Sequence, residues 1–364
     1  MKHLVIIGAG PRGLAVALRA SRHKDLKVTV VDNSPISTWT FPNMLPDIQM
    51  RSPITFDLTT FYPELKDYSL SSFLGYKIEA HTQRQIEDST IYCSRLDFVK
   101  YLKFIISQLK KEGVCFAKHN ICTINTNKIM CGDGVAINYD YLVMATGRKT
   151  QEAKLPIYLK NKVVTTMETL HDNPWNQVTV NVVGSGQQSA ELVDFLCRQK
   201  ARVTWIQKHE PRVTQYPIPS MKEWGLRSAL GNFYATRKYA NKPKYLKEVK
   251  EWGPTITPFI ANKLEGLKYK VLLNPSSTNE INLDSKFILA TGFNQRIELL
   301  NLDFDIDVNP IDAYLPDIKK DFASVSHPNI YFTGLLALKY DGPRQGSIIS
   351  SALTAHTIVN NILN

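Results

Sequence analysis

Four aliphatic residues in a row, Leu4 to Ile7, stand near the start of the chain, the pattern of a parallel strand buried on both faces. Gly8, Gly10 and Gly13 follow in the spacing G-x-G-x-x-G, and Leu14, Leu18 and the alanines around them fall on one face of a helix. A second aliphatic run, Val28 to Val31, predicts another strand and ends on Asp32. Between Val178 and Arg212 the same succession returns: an aliphatic strand, Gly184 and Gly186, an amphipathic helix, and a strand at Val203 to Ile206. Tyr139 to Lys149 and Ser285 to Gln295 also duplicate each other, each an apolar strand running into Ala-Thr-Gly, at 145–147 and 290–292. A third strand, Asn329 to Gly334, precedes a stretch of small and aliphatic residues with helical periodicity that begins near Ser347.

Strand, glycine turn, helix, strand and terminal acid make up the dinucleotide-binding fingerprint. Each part has a physical reason. Gly8 permits the tight turn, Gly10 lets backbone approach a pyrophosphate, and Gly13 lets the helix lie close to the strand. The helix N-terminus offers unpaired N–H groups and a partial positive charge to phosphate, and Asp32 can accept hydrogen bonds from ribose hydroxyls. In the second unit Ser189 takes the third glycine's place, and no acid closes the second strand. Gln207, Lys208, His209 and Arg212 stand there instead. A carboxylate would repel a 2′-phosphate and cations would bind it, so NADP is expected over NAD. The competing reading makes Lys208 and Arg212 ordinary solvated charges. Two fingerprints, each closed by its own Ala-Thr-Gly strand, predict an α/β protein with two Rossmann-like dinucleotide-binding domains.

Length and composition narrow this further. The chain has 364 residues, 43% hydrophobic and 21% charged, which suits two globular domains and excludes disordered and collagen-like classes. No apolar run is long enough to cross a bilayer. Met1-Lys2-His3 leads straight into a strand that glycines interrupt, unlike a signal-peptide core, so a cytoplasmic location is expected. Five cysteines without a C-x-x-C spacing predict buried thiols, with no disulfide framework, dithiol relay or metal site. No Ser-His-Asp pattern is found either. The formal net charge of +11 could draw RNA, acidic lipid or a phosphate-bearing ligand, and no nucleic-acid module ranks RNA above the others.

The arrangement resembles the flavoproteins with two dinucleotide-binding domains, and within them the class B flavin-dependent monooxygenases. Thr38-Trp39 after the first unit, Ser52-Pro53 beyond it, and the segments Tyr68 to Tyr76 and Tyr92 to Ile105 carry that likeness. Val182 to Glu191, VVGSGQQSAE, is similar to the nucleotide motif of the lysine and ornithine N-hydroxylases of the same class. The resemblance implies an FAD-binding domain of residues 1–158 and 296–364, with an NAD(P)H-binding domain, 159–295, inserted in it. It implies FAD contacts at Gly8, Gly10, Pro11, Arg12, Gly13, Asp32, Trp39, Gly147, Gly334, Gln345 and Ser347. NADP contacts are implied at Gly184, Ser185, Gly186, Gln187, Gln188, Ser189, Lys208, His209, Arg212 and Gly292. Gln49, Arg51 and Ser52 are the flavin-proximal candidates; for Arg51 the alternative is a guanidinium satisfied by backbone carbonyls.

The chemistry so implied is NADPH-driven oxygenation of a nucleophilic nitrogen or sulfur of a small substrate by O2, through a C4a-hydroperoxyflavin. The protein would supply orientation and a dry pocket. Two departures leave the substrate open. No Baeyer–Villiger signature precedes Gly184, and the segment Pro211 to Gly253 is rich in Lys, Tyr and Trp where the N-hydroxylases carry another sequence. This insert is read as a lid, as an amphipathic surface helix, or, in last place, as an RNA-stacking surface. The alternatives to the monooxygenase are an NAD(P)H-dependent reductase of a small disulfide or quinone, and a flavin-bound RNA- or partner-binding protein.

Overall fold

The computed structural model describes residues 1–33, 48–60, 62–76, 91–147, 149–150, 163–164, 174–213, 255–275, 280–291, 293–294, 300–309, 314–337 and 348–364. The chain opens with β1 (Lys2–Ile7), α1 (Pro11–Ala20) and β2 (Leu26–Val31). A short helix, α2 (Leu70–Phe73), precedes the long α3 (Arg95–Lys111) and β3 (Cys115–Ala117). Next come β4 (Ile121–Ile124), β5 (Lys128–Cys131), β6 (Ala136–Asn138) and β7 (Tyr141–Met144). The two-residue strands β8 (Lys149–Thr150) and β9 (Val163–Val164) lead to β10 (Thr179–Val183), α4 (Gln187–Arg198) and β11 (Arg202–Gln207). Then follow β12 (Arg212–Val213), β13 (Thr255–Ile256), α5 (Pro258–Leu264), β14 (Lys270–Leu273) and β15 (Lys286–Leu289). β16 (Phe293–Asn294), β17 (Ile330–Phe332) and α6 (Ile349–Leu363) complete the order.

Two five-stranded sheets, both parallel, organise these elements. The first runs β17-β7-β1-β2-β3 and the second β14-β11-β10-β15-β9. β1 and β10 hold the same interior place, each between the strand that follows its helix and the strand that runs into Ala-Thr-Gly. That position explains their unbroken aliphatic character. Leu4, Val5 and Ile6 are wholly buried, as are Val180 and Val182, and each such side chain contributes about 1.5–3 kcal/mol. α1 packs along α6, and the core around them takes in β1, β2, β7, α3 and β17. A second core forms around β10, α4, β11 and α5, and Ile48 from the N-terminal part of the chain is buried in it.

The expectation of buried thiols holds in part. Cys93 and Cys131 are buried and Cys197 is half-buried, but Cys115 and Cys122 are exposed. β3 is the edge of its sheet, and β4 belongs to a thin three-stranded antiparallel sheet, β4-β5-β6, so alternate side chains of both strands face solvent.

Residues 48–60 cross from one core toward the other and need an anchor, which Asp57 supplies. One carboxylate oxygen accepts from the Thr59 amide at 2.7 Å and its hydroxyl at 2.9 Å; the other accepts from the Leu70 amide at 2.7 Å, at the start of α2. Burial pushes this carboxyl above its usual range. A raised acid contributes most below its unfolded pKa and loses that contribution as pH rises through its folded value. Asp57→Asn, which cannot accept at both sites, is therefore expected to lower unfolding free energy by about 1–3 kcal/mol in urea, with a larger deficit in mild acid than at neutral pH. A deficit that grows with pH would contradict this assignment.

Candidate functional site

The first glycine turn is closed by backbone contact. Gly8 sits at φ +108°, its amide donates to Val31 O at 2.8 Å, and Ala145 N donates to Ile7 O at 2.8 Å. A Cβ on Gly8 would lie 2.3 Å from the Ala145 carbonyl oxygen, and one on Gly13 would lie 1.9 Å from the Gly8 carbonyl oxygen. Gly10 meets nothing within 4 Å, so the turn is open on that side. Gly10 is also the N-cap of α1, with no side chain capping it, Pro11 in the first turn and no acid there. The helix thus presents its positive end to open space, which suits an anion.

Two charged residues set the walls of this mouth. Asp32 accepts from the Ala9 amide at 2.6 Å, which fixes its carboxylate over the turn. Arg12 reaches across to the C-terminal elements, donating to Ser350 Oγ at 2.7 Å and Thr333 Oγ1 at 3.5 Å. A side chain on Gly334, at φ +72°, would press on the Arg12 stem at 3.2 Å. Arg12 therefore ties α1 to β17 and α6, and brings Gly334 to the first turn. Gly147, at φ +77°, is exposed beyond β7 with open space around it.

The second turn repeats the frame. Gly184 has φ +144°, its amide donates to Ile206 O at 2.9 Å, and Ala290 N donates to Val183 O at 2.7 Å. A Cβ there would lie 2.3 Å from Ala290 O, the same distance as at the first turn. Gly186 is the uncapped N-cap of α4 and again meets nothing within 4 Å. The third position differs. The Gly184 carbonyl accepts from the Trp205 indole at 2.7 Å, and the buried Ser189 donates to Gly186 O at 2.7 Å. Ser185 Oγ accepts from the amides of Lys208 and His209 at 3.0 and 3.3 Å. Both residues are exposed at the rim of the turn, and Arg212 is exposed in β12, which pairs with β13. Gln188 is half-buried in the first turn of α4.

A polar seam joins residues 48–51 and α3 to the helix of the second turn, and sequence reading missed its Arg95–Glu191 pair. Gln49 pairs with Ser94, and Arg95 N donates to Ile48 O at 2.7 Å. Ser94 caps α3, accepting from the Asp97 amide at 3.0 Å. Arg95, first residue of that helix, donates to both oxygens of Glu191 in α4 at 2.9 and 3.0 Å. Gln187 donates to Glu191 at 3.0 Å, and its carbonyl accepts from the amide of Thr257, the N-cap of α5, at 2.8 Å. Arg51 crosses the same seam to Thr255 Oγ1 at 2.9 Å; Ser52 is half-buried beside it. The guanidinium of Arg51 thus turns to a hydroxyl of the second half of the chain. Trp39, Gly292, Gln345, Ser347 and most of the insert 211–253 lie outside the described residues.

No curated protein matches the chain in a sequence search. Among solved structures it is similar to an ornithine N-hydroxylase from Kutzneria sp. 744 determined with reduced FAD, NADP+ and L-ornithine. That match has TM-score 0.77 and 16% identity, over 100% of this chain and 99% of the other. A cadaverine monooxygenase of desferrioxamine biosynthesis from Erwinia amylovora, bound to FAD, matches at TM-score 0.73 and 16% identity, over 99% and 94%. L-lysine 6-monooxygenase from Pseudomonas syringae matches at 0.73 and 16%, over 100% and 99%. At 16% identity these matches show the fold; the family that the sequence matches makes the chain an oxidoreductase of the class B flavin monooxygenase type. Residues 1–239 match the model of the L-lysine 6-monooxygenase/L-ornithine 5-monooxygenase family, and the chain belongs to that family.

Glu191 is 2% exposed and Arg95 20% exposed at the side chain. Removing one partner leaves a buried charge alone, so Arg95→Met is expected to cost about 3 kcal/mol. Glu191→Gln in the same background should restore most of that loss, as read by a double-mutant cycle of urea unfolding. Additive losses would deny the pair its place in the seam.

Proposed function

We propose that the protein is an FAD-dependent, NADPH-using N-monooxygenase acting on a terminal primary amine of a small aliphatic substrate. Residues 1–158 and 296–364 would form the FAD-binding domain, and residues 159–295 an NADPH-binding domain inserted in it. The observation that carries this reading is the repetition of one closed glycine turn in two parallel sheets within a chain of this family. Family membership makes oxygenation the reaction, and lysine, ornithine and cadaverine, the compounds named for the relatives, share a terminal amine.

The residues present suit both groups. The gaps facing Gly10 and Gly186 are where side chains would block a pyrophosphate, and both helix ends carry no acid to oppose one. Gly8, Gly10, Gly13 and the start of α1 would hold the FAD pyrophosphate, with Asp32 toward the ribose and Gly334 along the wall that Arg12 fixes. Gly184, Gly186 and the start of α4 would hold that of NADPH, with Lys208, His209 and Arg212 toward the 2′-phosphate. When bound, these groups supply hydride transfer to flavin and activation of O2. The chain's own part is positional. Arg95, Glu191, Gln187 and Thr257 fasten α3 to the helix of the second turn, and Arg51 fastens residues 48–60, with Gln49 and Ser52, beside it. In balance, amine, O2, NADPH and a proton yield hydroxylamine, water and NADP+.

The reductase reading finds little support in the thiols. Burial pushes Cys93, next to the 48–60 segment, up to about 12, and Cys197 up to about 11, so neither is poised as a thiolate. In air, diamines and ω-amino acids are expected to stimulate NADPH and O2 consumption in equal amounts, with a hydroxylamine product. Lys208→Ala and Arg212→Ala should each raise KM for NADPH about tenfold and leave that for NADH unchanged. Anaerobic turnover with a disulfide or quinone, and no amine-dependent O2 uptake, would overturn the proposal.

A further inference from the structure

The small sheet β4-β5-β6 gathers a second set of reactive side chains that shares no residue with the glycine turns. β5 ends on Cys131, and the chain turns through Gly132, Asp133 and Gly134 into β6. Gly134 N donates to Cys131 O at 3.0 Å, Cys131 N donates to Val135 O at 2.8 Å, and Gly134 takes φ +82°. Gly132 N donates to Asn120 O at 2.8 Å, which fastens this turn to the residues entering β4. His119 consequently stands against it, with Nδ1 2.6 Å from Asp133 Oδ2. One donor atom each of His119, Cys131 and Asp133 lies within 4.8 Å of the other two.

A second thiol comes from a bulge. The register of β4 against β5 shifts between Ile121 and Thr123, so Cys122 is the extra residue. Its sulfur lies 3.3 Å from where a Cβ on Gly132 would be, and the Asn301 side chain donates to its carbonyl, fixing the bulge. We propose that His119, Cys122, Cys131 and Asp133 form a structural binding site for a borderline-soft divalent cation of the zinc type.

The chemistry of the set fits that ion. Zinc takes thiolate, imidazole and carboxylate in tetrahedral array, at about 2.3 Å to sulfur and about 2.0–2.2 Å to nitrogen and oxygen. Donors so arranged stand roughly 3.3–3.8 Å apart; those of His119, Cys131 and Asp133 already lie within 4.8 Å of one another, and Cys122 would close on them from beside Gly132. A bare His119–Asp133 pair, 21% and 52% exposed, would be a weak surface ion pair. Two thiols beside it, one of them 5% exposed, make the set something else. The thiols release their protons to solvent as the cation binds. With four protein donors the site would be closed and structural, locking the β5–β6 turn to the β4 bulge. β4 in turn bridges to Leu302 through Ile124.

Cobalt(II) is the probe, added to the full-length protein after reduction and chelation. One equivalent should produce thiolate-to-cobalt charge-transfer absorption, and zinc should abolish it by displacement. Cys122→Ser and Cys131→Ser should each diminish the band, and His119→Gln and Asp133→Asn should weaken zinc binding roughly tenfold or more. Cys115→Ser, an exposed thiol in β3, should change nothing. At a fixed zinc concentration the Tm of the wild type should rise more than that of His119→Gln, whose partly exposed site tolerates the change in the absence of metal. No charge-transfer band in the wild type, or a full band in either Cys122→Ser or Cys131→Ser, would overturn the assignment.

Discussion

Everything in this molecule is arranged around one close approach, the α-carbon of the first glycine in each turn lying beneath a carbonyl oxygen of a neighbouring strand. At Gly8 the neighbour is Ala145 and at Gly184 it is Ala290, and in both places a methyl group would come within 2.3 Å of that oxygen. Real Cβ atoms do not approach so near, and the positive φ of both residues adds strain for any other side chain. The contact draws three parallel strands together at their C-terminal ends. It leaves the helix that follows with its N-terminus over an open gap. Binding capacity at the second glycine is thus a by-product of tight packing at the first.

Two such cradles are useful to an oxidoreductase only if their separation is fixed; among the described residues the two five-stranded sheets share no strand pairing, and the short β8–β16 pair links the segments after their Ala-Thr-Gly strands. The seam fastens α3 to α4 with polar groups. The Arg95–Glu191 pair is nearly desolvated, and buried pairs add little net stability over well-packed apolar groups. What a charge pair offers over grease is direction: Arg95 meets both carboxylate oxygens, which Gln187 helps hold from within α4, so sliding α3 against α4 breaks both bonds together. Ile48, buried in the second core from a segment of the first, adds the apolar part of the same joint.

Local features of the fold were legible in the amino-acid order. Glycine turns, interior aliphatic strands and Ala-Thr-Gly strands declare themselves because backbone sterics and two-sided burial act within a few residues. Ser189 is legible as the residue in the third glycine's place, but not that the Gly184 carbonyl is engaged by the Trp205 indole. What could not be read were partners brought together by tertiary packing. Arg95 announces a helix start after Ser94 but not Glu191, and Arg51 does not announce Thr255. The cysteines show the same limit. Their spacing does not announce that a tight hairpin turn sets Cys131 beside His119 and Asp133, or that a one-residue bulge puts Cys122 next to Gly132.

The duplicated cradle has separable halves, and that separation gives its most direct test: flavin content and anaerobic reduction by NADPH in Gly8→Ala and Gly184→Ala. Each substitution forces a Cβ against backbone at a cost of about 3 kcal/mol, local to one turn. Gly8→Ala should purify without flavin. Gly184→Ala should remain yellow but bleach far more slowly than the wild type when NADPH is added without oxygen. A Gly184→Ala protein that bleaches at the wild-type rate, or a Gly8→Ala protein that keeps its full colour, would contradict the account.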